Sequence, residues 1–252
     1  MKISAVSYLN TLPFIYGLQH SSIINQIDLS IDYPSECARK LVNNEVDIGL
    51  IPIAVLPKNP NYNIISDYCI GADGKVDSVF LFSDVEINEI EKIYLDYQSR
   101  TSINLMKILA EKHWKIQVEW LSAKVGYEAK ISQKTAGVVI GDRTFALKQN
   151  FKYAYDLAEE WKKMTNLPFV FATWTANKNI EQQFVNQFNK ALKFGLENID
   201  NVLKFYKNKI FEVSKHADIK RYLTQNISYN FTKKKQEALK SFLLKKNSLF
   251  CF

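Results

Sequence analysis

The feature that most constrains this chain is a recurrence in which short apolar runs are each followed by a segment with apolar residues at helical spacing. Residues 2–7 (KISAVS) read as a strand, and Leu12–Gln19 as a helix opened by Thr11 and Pro13. Residues 27–32 alternate as a second strand before a helix over Pro34–Asn43, and Asp47–Ile51 reads as a third strand with Pro52 at a first helical position. Such alternation is the pattern of βαβ units around a mostly parallel sheet. A longer apolar strand, Val76–Ser83, precedes a second series: strand 92–95, helix Ser102–Lys112, strand 116–121, helix 125–132, strand 136–140 and helix 142–149. Another long apolar run covers 167–176, and helical patterns follow near 180–198, 199–211, 215–225 and 232–246.

The two long runs bracket a block with its own complete α/β pattern. The expected organisation is therefore two lobes joined by a double crossover: a discontinuous lobe of 1–83 plus 175–252 with a helical tail, and a second lobe of 84–174. No Gly/Ser linker separates them, which suits a hinge. A chain of 252 residues can bury a real core, and 47% hydrophobic with 23% charged residues excludes disordered, collagen-like and coiled-coil classes. No apolar stretch approaches a membrane span, and the N-terminal run is too short and polar for a signal peptide, so a soluble, cytoplasmic protein is expected. Cys37, Cys69 and Cys251 show neither CxxC nor Cys/His spacing, so no disulfide and no metal site is expected.

The net charge of +7 is concentrated at one end: from residue 201 onward there are 12 Lys and Arg against Glu212, Asp218 and Glu237. The segment lacks the aromatic, zinc or helix-turn-helix patterns of nucleic-acid binders, so it reads as the solvated face of lysine-rich helices, without a nucleic-acid or membrane partner. Walker A, GxGxxG, GxSxG and HExxH motifs are absent. His20, His113 and His216 lie far apart, and Gly71-Ala72-Asp73-Gly74 precedes a strand and reads as a turn.

What stands out is hydroxyl and amide chemistry at strand-to-helix junctions, where open α/β sheets bind ligands and helix N-termini present free N–H groups. Four junctions are polar: Ser7 to Thr11 with Asn10, Gln98 to Ser102, Gly141-Asp142, and Ile51-Pro52. Each is also an ordinary place for an N-cap, and Asp142 reads first as one. The stretch Ser99-Arg100-Thr101-Ser102 offers more than a cap needs. Arg100 is either a carboxylate-binding guanidinium beside a helix N-terminus or an ion-pair partner. Facing lobes would bring Asn10 and Thr11 together with Ser99–Ser102 in a cleft, with Ser78 on the first crossover strand at its floor.

The segments VSYLNTLPF, SDYCIGADGKVDSVFLFS, LDYQSRTSINL, VVIGD and WKKMTNLPFVFATW, in this order over roughly 1–176, together resemble the chorismate dehydratase family of the futalosine route to menaquinone. The resemblance implies a two-lobed type II periplasmic-binding-protein-like fold used as an enzyme with no metal or organic cofactor. The reaction implied is loss of water from chorismate to give 3-[(1-carboxyvinyl)oxy]benzoate. It puts Asn10 and Ser78 at the reacting centre and makes Ser7, Thr11, Pro52, Ser99, Arg100, Thr101, Ser102 and Asp142 candidates for holding the substrate, in an assembly of unspecified oligomeric state. A solute-binding protein of the same fold, an effector-sensing regulator and the sister enzyme that makes dihydroxynaphthoate are the alternatives. The last is expected to use a cleft histidine, and no His falls at a junction here.

Overall fold

A computed structural model describes residues 1–58 and 62–248; Cys251 lies outside the described residues. The chain opens with β1 (Lys2–Val6), α1 (Leu12–Gln19), β2 (Asp28–Asp32), α2 (Pro34–Val42), β3 (Ile48–Pro52) and β4 (Asn63–Ala72). It continues through β5 (Val79–Ser83), β6 (Lys92–Leu95), α3 (Thr101–Ile108), β7 (Glu119–Ser122), β8 (Thr135–Ile140), α4 (Thr144–Leu147), β9 (Tyr153–Asp156), α5 (Leu157–Thr165) and β10 (Phe169–Ala176). It ends with α6 (Gln182–Glu197), α7 (Ile199–Phe205), α8 (Lys207–Ser214), α9 (Ile219–Arg221), β11 (Ser228–Asn230) and α10 (Lys233–Ser248). These elements form two compact units, Met1–Gly71 with Val170–Thr232, and Ala72–Phe169 with Lys233–Phe252. No helix among the described residues is long and apolar enough to cross a membrane.

The sheet of the first unit has the order β11-β4-β10-β3-β1-β2. β1 runs parallel to β2 and β3, with Ile3 opposite both Leu29 and Ile48, whereas β10 lies antiparallel to β3 and β11 to β4. Every residue of β3 and β10 is buried, the signature of strands covered on both faces, while the edge strand β2 is only partly covered. Helix α1 has Pro13 in its first turn and buries all of Leu12 to Leu18, because it is wedged against α6. Gly17 and Gly195 make that approach possible. A Cβ on Gly17 would stand 2.0 Å from the Ala191 carbonyl oxygen, and one on Gly195 would stand 1.7 Å from that of Pro13.

The sheet of the second unit has the order β7-β6-β8-β5-β9. β6 is parallel to β7 and β8, and β5 is antiparallel to β8 and β9. Phe80, Phe82, Ala123, Tyr127, Ile131 and Val139 pack together over one face. Helix α5 carries Asp156 as a side-chain N-cap, Glu159 and Glu160 in its first turn, and Lys162 and Lys163 in its last, each charge matched to the nearer end of the helix dipole. Helix α10 belongs here, because Phe242 meets Trp161 and Phe169 edge-on, with ring centroids 6.2 and 5.4 Å away.

Several expectations change. The tail 233–248 belongs with the second unit, because of that aromatic cluster. Residues 79–83 do too, because β5 bonds only to β8 and β9 in its sheet. The long strand expected from Val76 starts at Val79, because Asp77 adopts a left-handed conformation (φ 65°) and turns the chain. Ser78 therefore stands at the entry to the strand. Pro52 closes β3, and its lack of an N–H costs nothing at a strand end. The helices read at 125–132 and 142–149 shrink to one turn at Tyr127–Lys130 and to α4. The helix read as Ser102–Lys112 starts at Thr101 and widens into π-winding over Leu109–Trp114, ended by left-handed Lys115. Both sheets are mixed, because β10 and β5 run against their parallel neighbours.

Gly195→Ala is expected to lower the unfolding free energy by at least about 2 kcal/mol, since backbone cannot yield as a side chain does. The check is a shift of the urea midpoint with an unchanged slope. An unshifted midpoint contradicts the close-approach account.

Candidate functional site

In the first unit, the parallel strands β1 and β3 end at the same edge, at Val6 and Pro52. Beyond β1, Ser7 and Tyr8 lead into one 3-10 turn, Leu9–Thr11, that runs on into α1. Asn10 and Thr11 are buried there. The Thr11 hydroxyl donates to Asn10 Oδ1 at 3.1 Å, which orients the amide. The Tyr229 hydroxyl, from β11, donates to the Asn10 carbonyl at 3.0 Å. The Ser7 carbonyl accepts from Lys209 Nζ at 3.1 Å, and Ser7 itself is half-buried. Asn10 is thus a neutral, oriented and buried amide, a group that can donate to an oxygen without bringing a charge.

In the second unit, the parallel strands β6 and β8 end at one edge, at Leu95 and Ile140. β5 is antiparallel to β8 and starts opposite Ile140, so Ser78 reaches the same edge. There the Gly141 N–H donates to the Ser78 carbonyl at 2.9 Å. Ser78, Ser99, Thr101 and Ser102 are buried, Arg100 is exposed and Asp142 is half-buried. The Ser99 hydroxyl accepts from the Ser102 N–H at 2.9 Å and acts as a local cap on the first turn of α3. Arg100 makes no salt bridge among the described residues, against the ion-pair alternative. Asp142 stands one residue before Arg143, the N-cap position of α4, and the Thr144 hydroxyl donates to the Gly141 carbonyl at 2.8 Å.

The strongest groups at this edge are ones that sequence reasoning passed over. Asp96, the residue after β6, has a side chain 0% exposed. It accepts from the Gln98 N–H at 2.9 Å, the Ile140 N–H at 3.0 Å, the Tyr127 hydroxyl at 3.1 Å and the Arg143 guanidinium. Arg143 also bonds Glu128 at 2.5 Å and the Ile140 carbonyl at 3.1 Å, with the rings of Tyr97 and Tyr127 stacked nearby. Burial pushes the Asp96 carboxyl above its ordinary range, against the pull of Arg143 and the two backbone donors. Asp156 is a second buried carboxylate, raised by burial to about 6 despite accepting from the backbone N–H groups of Asp77, Ala158 and Glu159. The Asp96 network ties the loop 98–102 to the end of β8, which fixes the ends of two neighbouring strands together. Of the histidines, His113 pairs with Glu160 at 3.0 Å, His20 stacks on Tyr16 and His216 is exposed.

Solved structures of the same fold include a structural-genomics protein from Archaeoglobus fulgidus (TM-score 0.77, 15% identity, covering 100% of this chain and 98% of that one). Another is the periplasmic aliphatic sulphonate binding protein of Escherichia coli (TM-score 0.61, 12% identity, 99% and 86% covered). The chain is therefore an α/β protein of the type II periplasmic-binding-protein-like fold. It belongs to the menaquinone biosynthesis family, whose model matches residues 1–246. Two curated relatives are both named chorismate dehydratase. That of Campylobacter jejuni is 26% identical over 213 residues, covering 78% of this chain and 92% of the relative, and that of Thermus thermophilus is 23% identical over 235 residues, covering 83% of each.

Two outcomes are expected from the buried carboxylates. Arg143→Ala strands Asp96 without its counter-charge and should cost about 3 kcal/mol in chemical denaturation; a loss below about 0.5 kcal/mol is what an exposed pair gives and contradicts the account. Asp156, raised from 3.8 to about 6, holds a proton in the native state over a pH window in which the unfolded chain has released it. Its contribution is full at low pH and fades as pH rises through about 6. Relative to Asp156→Asn, the wild type should lose up to about 3 kcal/mol of stability between acidic and neutral pH. A difference independent of pH contradicts it.

Proposed function

We propose that this protein is a chorismate dehydratase, a hydro-lyase that removes water from chorismate to give 3-[(1-carboxyvinyl)oxy]benzoate. The observation that carries the reading is the family match over 1–246, together with two relatives of that name aligned along most of both chains. The substrate's own chemistry agrees with a set of neutral donors. The C3 hydrogen of chorismate is vinylogously acidic through the ring carboxylate, and the C4 hydroxyl is allylic. The proton leaves C3, hydroxide leaves C4, the C3–H electron pair enters the ring, and the ring becomes aromatic. The ether and hydroxyl are trans, so the departing hydrogen and hydroxyl share a face. Syn elimination then needs one small group near both, or the substrate's side-chain carboxylate as internal base.

In this reading the protein supplies orientation, charge stabilisation and exclusion of water. Asn10 hydrogen-bonds the leaving hydroxyl or the enolpyruvyl group, and Ser78 positions or relays the proton. Ser99, Arg100, Thr101 and Ser102, with the first-turn N–H groups of α3, take one of the two carboxylates, and Arg100 acts at the solvent-exposed rim. Ser7, Thr11, Pro52 and Asp142 complete the contacts. No histidine or metal relay enters the scheme.

The test is turnover of chorismate by the purified protein and by Asn10→Ala and Ser78→Ala. Each variant should keep the melting profile of the wild type while kcat falls by about a hundredfold. Near-normal kcat in both rejects these roles, and binding of chorismate by the wild type without turnover supports a solute-binding protein instead.

A further inference from the structure

We propose that Asp156 is a positioning residue for Ser78, its buried carboxylate clamping the turn at Asp77 so that the Ser78 hydroxyl has one location. The proposal deepens the reading above and rests on Ser78 belonging to the reacting centre.

Asp156 ends β9, is 2% exposed and caps α5. Oδ1 accepts from the Ala158 and Glu159 N–H groups at 3.0 and 3.1 Å, which is all a cap requires. Oδ2 serves another segment. It accepts from the Asp77 N–H at 2.7 Å, across 79 residues of chain. A serine or threonine would cap α5 as well, without a buried charge. The carboxylate is needed only because it has two sides to serve.

The segment it holds is unusual in its own right. Asp77 has φ 65°, a left-handed conformation that a residue with a Cβ adopts at a cost. Its side chain is paired with Lys148. The ladder of β5 begins only at Val79, opposite Ile140, so sheet pairing does not hold the turn. On the far side, the Ser78 carbonyl accepts from the N–H of Gly141, itself left-handed at φ 76° and fixed by the Thr144 hydroxyl. Ser78 is thus gripped upstream through the Asp77 N–H and downstream through its own carbonyl. A desolvated carboxylate and a left-handed aspartate stacked immediately before one buried serine are costs that a purely structural turn has no need of, and such costs gather where a side chain must be aimed.

Asp156→Ser separates the two tasks, since a hydroxyl caps α5 but is too short to reach the Asp77 N–H. The expected result is kcat lowered by about tenfold or more with KM within about twofold of wild type. Amide exchange should quicken at Asp77 and Gly141 while Ala158, Glu159 and the rest of α5 stay protected. A folded variant with wild-type kcat and wild-type exchange at Asp77 overturns the proposal, as does a rise in KM with kcat unchanged. If Asp156→Ser does not fold, Asp156→Asn is read in the same way, because its amide nitrogen must face one of the two sets of donors. A wild type that does not turn over chorismate overturns the reaction reading, and exchange at Asp77 then decides the clamp alone: faster in the variant sustains it, unchanged ends it.

Discussion

A carboxylate withdrawn wholly from water at the end of a strand must be met by enough donors, and Asp96 meets that demand by drawing together four separate parts of the chain. Its four partners come from the loop after β6, from the last residue of β8, from the turn that packs Tyr127 on the sheet, and from the head of α4. Once these are joined, the edge of the second sheet is a fixed platform, and the hydroxyls of Ser99, Thr101 and Ser102 are set on it with little freedom. Asp156 does the same on the next pair of strands, where it joins the head of α5 to the turn before Ser78. Buried charge here stabilises little on its own account. What it provides is a single arrangement of short polar groups.

Such an arrangement suits an elimination whose product is aromatic. Much of the driving force lies in the substrate, so strong acids and bases are not required, and the demands left to the protein are geometric. In the proposed reaction, neutral amides and hydroxyls would meet them with small side chains that do not titrate near neutral pH. The fold itself is shared with proteins that bind solutes, so the activity proposed rests on the family and on these particular side chains, not on architecture.

Helix Leu12–Gln19 and strand 92–95 were legible to the residue, because Thr11 and Pro13 mark the start of the first and a clean apolar patch marks the second. Strand β4 was not, because Ser66 and Asp67 break its apolar pattern; both bond to Asn189, a partner far along the chain. Strand β9 is only four residues long, yet α5 behind it was readable in principle: Asp156 as cap, two glutamates in the first turn and two lysines in the last. The direction of β5 and β10 was beyond reach, since a run of apolar residues marks a strand without saying which way it runs. So was the Asp96–Arg143 pair, 47 residues apart, because burial of a charge shows only when its partner is in place. The polar junctions Ser7–Thr11 and Ser99–Ser102 were singled out from composition and spacing alone, while Asp96, the carboxylate bonded to Gln98 beside the second of them, was not.

The most direct measurement is the identity of the product formed from chorismate, by mass and proton NMR. The account expects a compound lighter than chorismate by one water, with a meta-substituted aromatic ring that still carries the enolpyruvyl ether. Release of pyruvate with a hydroxybenzoate, or recovery of unchanged chorismate from folded protein, would contradict it.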